Sequence, residues 1–179
     1  MENKTLQQFD AQAAKCRLIF LQKARDYGHS WRILRLSSLA DQIFIKAQRI
    51  RTIDQLATQK IADDLITDYI GIVNYALMGL ISLSVPADEQ LSEQAILQHY
   101  DHHLNRAREL MMAKNHDYGE AWRDMLLSSF SDIILMRVLR IRSLASQQGP
   151  ITSSEGIDAN LYDIINYAIF ALIKISEQA

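Results

Sequence analysis

Two prolines and six glycines are few for 179 residues. That scarcity excludes a turn-rich β-sandwich and leaves long helices as the expected secondary structure. The single cysteine, Cys16, excludes a disulfide framework or a thiolate zinc site within one chain. Neither charge sign is in excess: 19 Lys and Arg face 21 Asp and Glu, for a net charge of −2. The electrostatic footprint of a nucleic-acid binder is therefore missing, and no stable DNA or RNA binding is expected. The first ten residues lack the apolar core of a secretory leader, which makes the cytoplasm the expected compartment. One run, Tyr69 to Val85, has only Asn74, Ser82 and Ser84 as clearly polar members and reaches the short edge of a membrane span. Its counterpart later in the chain carries Asp163 and Lys174, so a buried core helix and no membrane are expected.

What is present is a globular composition, 49% apolar and 22% charged, and an internal repeat. Lys23-Ala24-Arg25-Asp26-Tyr27-Gly28-His29-Ser30-Trp31-Arg32 returns as Lys114-Asn115-His116-Asp117-Tyr118-Gly119-Glu120-Ala121-Trp122-Arg123. Leu36-Ser37-Ser38 with Asp41 returns as Leu127-Ser128-Ser129 with Asp132, and Arg49-Ile50-Arg51 as Arg140-Ile141-Arg142. The offset is 91 throughout, with 14 identities in the 31 positions from Lys23 to Ile53. Asn74-Tyr75-Ala76 returns as Asn166-Tyr167-Ala168 at offset 92. The chain is a tandem duplication, divided as residues 1–86 and 87–179, within one pseudo-dimeric domain.

Each half reads as three helices, expected near 4–25, 33–55 and 60–84, and again near 89–116, after Gly119, and 155–177. Gly28 and Gly119 are the stop signals of the first helix and its copy, and Gly149-Pro150 breaks the second half before its third helix. The second helix of the second half, around Phe130 to Leu139, is apolar on nearly every face, which places it at the centre of the expected bundle. The fold class is all-α: a duplicated three-helix unit packed about a pseudo-two-fold axis. The number of chains in the assembly is left open.

Charges embedded in apolar runs are the candidate site residues, because burying an unpaired charge is expensive. Asp41, Lys46 and Arg49 interrupt the second helix, and Asp132, Arg137 and Arg140 interrupt its copy. Two readings stand. In one, these groups are structural ion pairs across the pseudo-dimer. In the other, Asp41 and Asp132 are catalytic and hold a divalent metal while Lys46, Arg49, Arg137 and Arg140 meet phosphate oxygens. Both aspartates are expected to be poorly exposed. On the third helix, Asp64 and Asp68 align with Gly156 and Asn160, and Gly71 aligns with Asp163. One live site is expected, with Asp68 and Asp163 together as a composite metal site. Tyr27, Trp31, Tyr118 and Trp122 are placed to stack on a base or to cap the core, and Lys23 and Lys114 to touch an anion. His99 and His103 are four apart, but the first half has Gln8 and Gln12 there, which marks the pair as incidental.

Taken together, Lys-x-x-Asp-Tyr-Gly-x-x-Trp, then Ser-Ser-x-x-Asp, Arg-Ile-Arg and Asn-Tyr-Ala, resemble a bacterial and phage family, nucleotide modification associated domain 1. The resemblance covers most of both halves and implies an all-α fold, a role in nucleotide metabolism, and substrate-binding roles for Asn74 and Asn166. More remotely, the chain is similar to the all-α nucleoside triphosphate pyrophosphohydrolases of the MazG and dimeric dUTPase type. Those hold magnesium on paired acids of adjacent helices. That likeness implies magnesium on Asp41, Asp64, Asp68, Asp132 and Asp163, with a nucleoside triphosphate split into monophosphate and pyrophosphate. The paired Glu-x-x-Glu of those enzymes is absent. The competing expectation is a non-catalytic module that binds a nucleotide or a protein.

Overall fold

The computed structural model describes residues 2–56, 64–146 and 156–178, the side chains of residues 2 and 3 excepted. Six helices follow in order: α1 Glu2–Tyr27, α2 Leu36–Leu56, α3 Leu65–Ser84, α4 Glu93–Tyr118, α5 Leu127–Ser146 and α6 Ile157–Gln178. A 3-10 turn follows α1 (Ser30–Ile33) and α4 (Ala121–Asp124). The element order of the first half is repeated in the second, and the structure is all-α among the described residues. The expected start of the third helix near residue 60, and the break at Gly149-Pro150, lie outside the described residues.

Local chemistry sets the helix ends. Gly28 and Gly119 adopt φ of 62° and 61°, and their amides reach back to the carbonyls of Ala24 and Asn115. A side chain there would be strained, which is why the glycine recurs at both stops. Ser92 caps α4 by accepting from the Ala95 amide, and Asp64 caps α3 by accepting from the Ile66 amide.

The core corrects one expectation. The third helices, not the second, are the most deeply buried: α3 buries twelve of its twenty residues, against seven of twenty for α5. Met136 and Leu139 on α5 are more than half exposed, as is Ile45 on α2. Helices α2 and α5 face each other and the α3/α6 pair with one side only, through Leu39, Ile43, Ala47, Ile134, Val138 and Ile141. The apolar run in α5 exceeds the surface that its neighbours cover. Helix α3 is long and apolar enough to cross a membrane by length and composition, and here it packs inside the bundle against α2 and α6.

The halves are related as in a symmetric dimer, where residue i meets j and j meets i. Arg17 of α1 forks onto Asp101 of α4 at 2.7 and 2.9 Å, while Arg108 of α4 forks onto Asp10 of α1 at 2.7 and 3.0 Å. Arg142 of α5 meets Asp41 of α2 at 2.9 Å, and Arg51 meets Asp132 at 3.6 Å. Each partner of one pair lies 91 residues from its counterpart in the other. These half-exposed pairs set register more than stability.

Replacing Ile134, which is fully buried, with Ala should cost about 2–5 kcal/mol in urea unfolding. Met136→Ala, two residues along the same helix, should stay within about 0.5 kcal/mol.

Candidate functional site

Each repeat holds a cavity between its first helix, the following 3-10 turn and its third helix. The first has a volume of about 600 Å³ and is walled by Phe20, Lys23, Tyr27, Trp31, Asn74 and Tyr75. The second, of about 500 Å³, is walled by Met111, Lys114, Tyr118, Trp122, Asn166 and Tyr167. These are the same positions, six for six. The recurring Lys, Tyr, Trp, Asn and Tyr thus converge on one place from three elements. Volumes of this size suit a small organic ligand.

The exposed aromatics sit at the cavities. Tyr27 and Tyr118, each on the last residue of its helix, are 75% and 73% exposed. The tryptophans differ. Trp122 is sandwiched, with Phe170 stacked at 4.2 Å and parallel to within 2°, and the Arg123 guanidinium 4.3 Å from the ring centroid. Two groups that close cannot share a face, so both faces of Trp122 are covered. In the first repeat Met78 replaces Phe170, and Arg32, the counterpart of Arg123, turns away to the carbonyls of Pro86 and Glu89. No ring or cation covers Trp31 among the described residues. The indole N–H of each tryptophan is buried with no partner among the described residues.

Acidic residues are distributed differently from expectation. Asp41 and Asp132, expected to be shielded and metal-binding, have side chains 50% and 58% exposed and lie in the cross-repeat pairs with Arg142 and Arg51. They sit on the outward side of α2 and α5, which the apolar pattern does not distinguish from the buried side. Asp64 spends its carboxylate on capping α3. Asp68 is buried and bonded by Arg49, with Lys46 at 3.6 Å. Asp163 takes Lys114 on one oxygen and Arg137 at 3.0 Å on the other. Arg137 also reaches Asn160 at 3.4 Å. Arg140 lies on the exposed side of α5 and is likewise engaged. Asp68 and Asp163 therefore belong to separate clusters, each held by cations of its own repeat, and not to one composite site. Among the described residues no three His, Cys, Asp or Glu side chains converge as a metal site would require.

The swap of acid position goes with a different path of the basic side chain beside it. Gly71 stands where Asp163 stands, and a Cβ there would come within 2.5 Å of the Lys46 side chain. The bare helix surface lets Lys46 cross to Asp68, one turn earlier. In the second repeat the acid is at the crossing point itself, and Arg137, in place of Lys46, meets it there.

Asn74 and Asn166 do structural work that the sequence pattern does not disclose. The Asn74 amide donates to the Cys16 carbonyl at 3.0 Å and accepts from the Tyr100 hydroxyl at 2.8 Å, tying α3 to both α1 and α4. Asn166 donates to the Ala107 carbonyl at 3.1 Å, the equivalent of Cys16, but its carbonyl oxygen is buried and unpartnered among the described residues. The equivalent of Tyr100 is Phe9, which has no hydroxyl to offer. The one signal of this network in the sequence is the Phe9/Tyr100 difference, in a segment that also differs at Gln8/His99. Cys16 itself is a core thiol, its pKa pushed up to about 12 by burial.

The family model of nucleotide modification associated domain 1 matches residues 23–83 and again residues 114–175. The chain belongs to this family. The two matches contain the wall residues shared by the cavities except Phe20 and Met111. No curated protein and no solved structure matches the chain.

Of the histidines, His103 is buried, with its two ring nitrogens 2.8 Å from the Tyr162 hydroxyl and 3.4 Å from the Ser84 hydroxyl. Both nitrogens are engaged by hydroxyls. Burial, reinforced by His102 and His99, pushes its pKa down to about 4.

Phe9→Tyr should supply the missing hydroxyl to Asn166 and raise stability by about 1 kcal/mol in thermal or urea unfolding, with Tyr100→Phe moving it the other way. A second expectation concerns pH. Below pH 6.5 the unfolded chain protonates His103 and the folded one does not. Stability should therefore fall between pH 6.5 and about 4, and His103→Gln should flatten that segment of the pH profile.

Proposed function

We propose that this protein binds nucleotides in these cavities. The observation that carries the reading is the convergence of the family's recurring Lys, Tyr, Trp and Asn-Tyr residues on one cavity wall, twice in the chain. The parts suit the ligand class. An exposed tyrosine at each rim offers a stacking face for a base. A lysine one turn before it offers a cation for phosphate. The family's association with nucleotide modification supplies the nucleotide.

The finer reading is magnesium-dependent splitting of a nucleoside triphosphate, with Asp163 as the carboxylate on a cavity wall. The residues fit magnesium poorly. A hard divalent cation needs free carboxylate oxygens, and both oxygens of Asp163 are bonded to cations. Asp68 is likewise held by Arg49 and Lys46. This arrangement favours binding over metal-dependent hydrolysis.

Calorimetric titration with a panel of nucleosides and their mono- and triphosphates, with and without magnesium, tests both. Binding without magnesium and without release of pyrophosphate is the expected result, and the double variant Tyr27→Ala, Tyr118→Ala should weaken it about tenfold or more. Magnesium-dependent pyrophosphate release that is lost in Asp163→Asn would replace binding by hydrolysis. Absence of binding by every compound would refute nucleotide binding.

A further inference from the structure

Although the two cavities are built from matching residues, their charges and ring faces are disposed differently. In the second cavity Lys114 is bonded to Asp163, which also takes Arg137, so the cations on its wall already hold an anion of the protein. In the first cavity the position of Asp163 is Gly71, and the nearest acid of that helix, Asp68, is buried and engaged by Lys46 and Arg49. Lys23, the equivalent of Lys114, is exposed on the cavity wall and has no acidic partner among the described residues. The aromatic side follows the same division. Trp122 has both faces covered by Phe170 and Arg123, whereas neither face of Trp31 carries a ring or a cation among the described residues.

We infer that the two repeats have divided their roles: the first cavity is the one that takes a nucleotide, as a singly phosphorylated nucleoside whose base lies on Trp31 and Tyr27 and whose phosphate meets Lys23. The second cavity is closed to anions by its own Asp163. This rests on the nucleotide-binding reading and assigns it to one of two equivalent places. The physical reason is competition. An anion entering the second cavity must displace a carboxylate already paired twice, while in the first it meets an ammonium with no acidic partner among the described residues. The larger volume and the indole that carries no ring or cation among the described residues lie on the same side of the comparison. The position that sets the charge difference between the two sites is Gly71 against Asp163.

The two tryptophans, one per cavity, make the sites separately visible. In a nitrogen-15 correlation spectrum the two indole N–H signals can be assigned with Trp31→Phe and Trp122→Phe, and the full-length protein titrated with the common nucleosides and their 5′-monophosphates. The Trp31 signal should move at lower concentration than the Trp122 signal, and monophosphates should bind more tightly than nucleosides. Lys23→Ala should reduce monophosphate affinity about tenfold while leaving nucleoside affinity in place, and Lys15→Ala, which removes an exposed charge further back on α1, should do neither. Gly71→Asp, with the flexible end of Lys46 shifting aside, should close the first cavity to monophosphates by placing an acid on the wall that Lys23 lines, as Asp163 does in the second. Asp163→Asn should open the second, seen as a Trp122 response to monophosphate. Should Asp163→Asn unfold the chain, Gly71→Asp and Lys23→Ala still decide. A monophosphate that moves Trp122 first, or both signals alike, overturns the division of roles but leaves nucleotide binding standing. If neither signal responds to any nucleoside or monophosphate, nucleotide binding fails and this assignment with it.

Discussion

Burial of α3 against α6 is the contact on which the rest of the structure depends. Each helix is too apolar to face water on more than one side, and neither repeat alone has enough surface to cover it. Pairing the two, and flanking them with α2 and α5, buries Ile72, Leu77, Ile81, Ile164, Ala168 and Ile173 to near-zero exposure. Burial of apolar surface is the dominant favourable term in folding, and here it also fixes the pseudo-two-fold relation. The reciprocal pairs Arg17/Asp101 with Arg108/Asp10, and Asp41/Arg142 with Asp132/Arg51, then follow as the polar rim of that arrangement.

The same relation shows where the copies have diverged. A symmetric pair would have equal sites, but single differences at equivalent positions have redistributed charge and hydrogen bonds. Gly71 against Asp163 moves the acid by one turn and, with it, the cations that neutralise it. Phe9 against Tyr100 leaves the oxygen of Asn166 without the donor that Asn74 enjoys. Met78 against Phe170 leaves one tryptophan without the aromatic stack that the other has. None of these disturbs the helices, because each exchange is absorbed within a side-chain cluster.

Much of the fold is legible in the order of residues alone. The constant offset establishes the duplication, the sparse turn residues establish helices, and Gly28 and Gly119 mark two of the ends. The wall residues of the cavities are legible as a set too, since Lys23, Tyr27, Trp31, Asn74 and Tyr75 recur together. The second helices are where the pattern misleads. An apolar run states how much surface a helix can bury and not how much its neighbours provide, so Met136, Leu139 and the carboxylates of Asp41 and Asp132 are expected inside and lie outside. The role of Asn74 is hidden for a different reason: its partners, Cys16 and Tyr100, are 58 and 26 residues away, and hydrogen bonds between helices leave no periodic trace.

By itself, then, the sequence determined the repeat, the helical class and the residue types gathered at each cavity, because these rest on local propensity and on identity between two segments. Only the tertiary structure decided which acids are neutralised, which tryptophan is stacked between a ring and a cation, and which of two matching cavities has a lysine without an acidic partner among the described residues. Those properties depend on distances between side chains from different helices, and such distances exist only once α3 and α6 have brought the helices together.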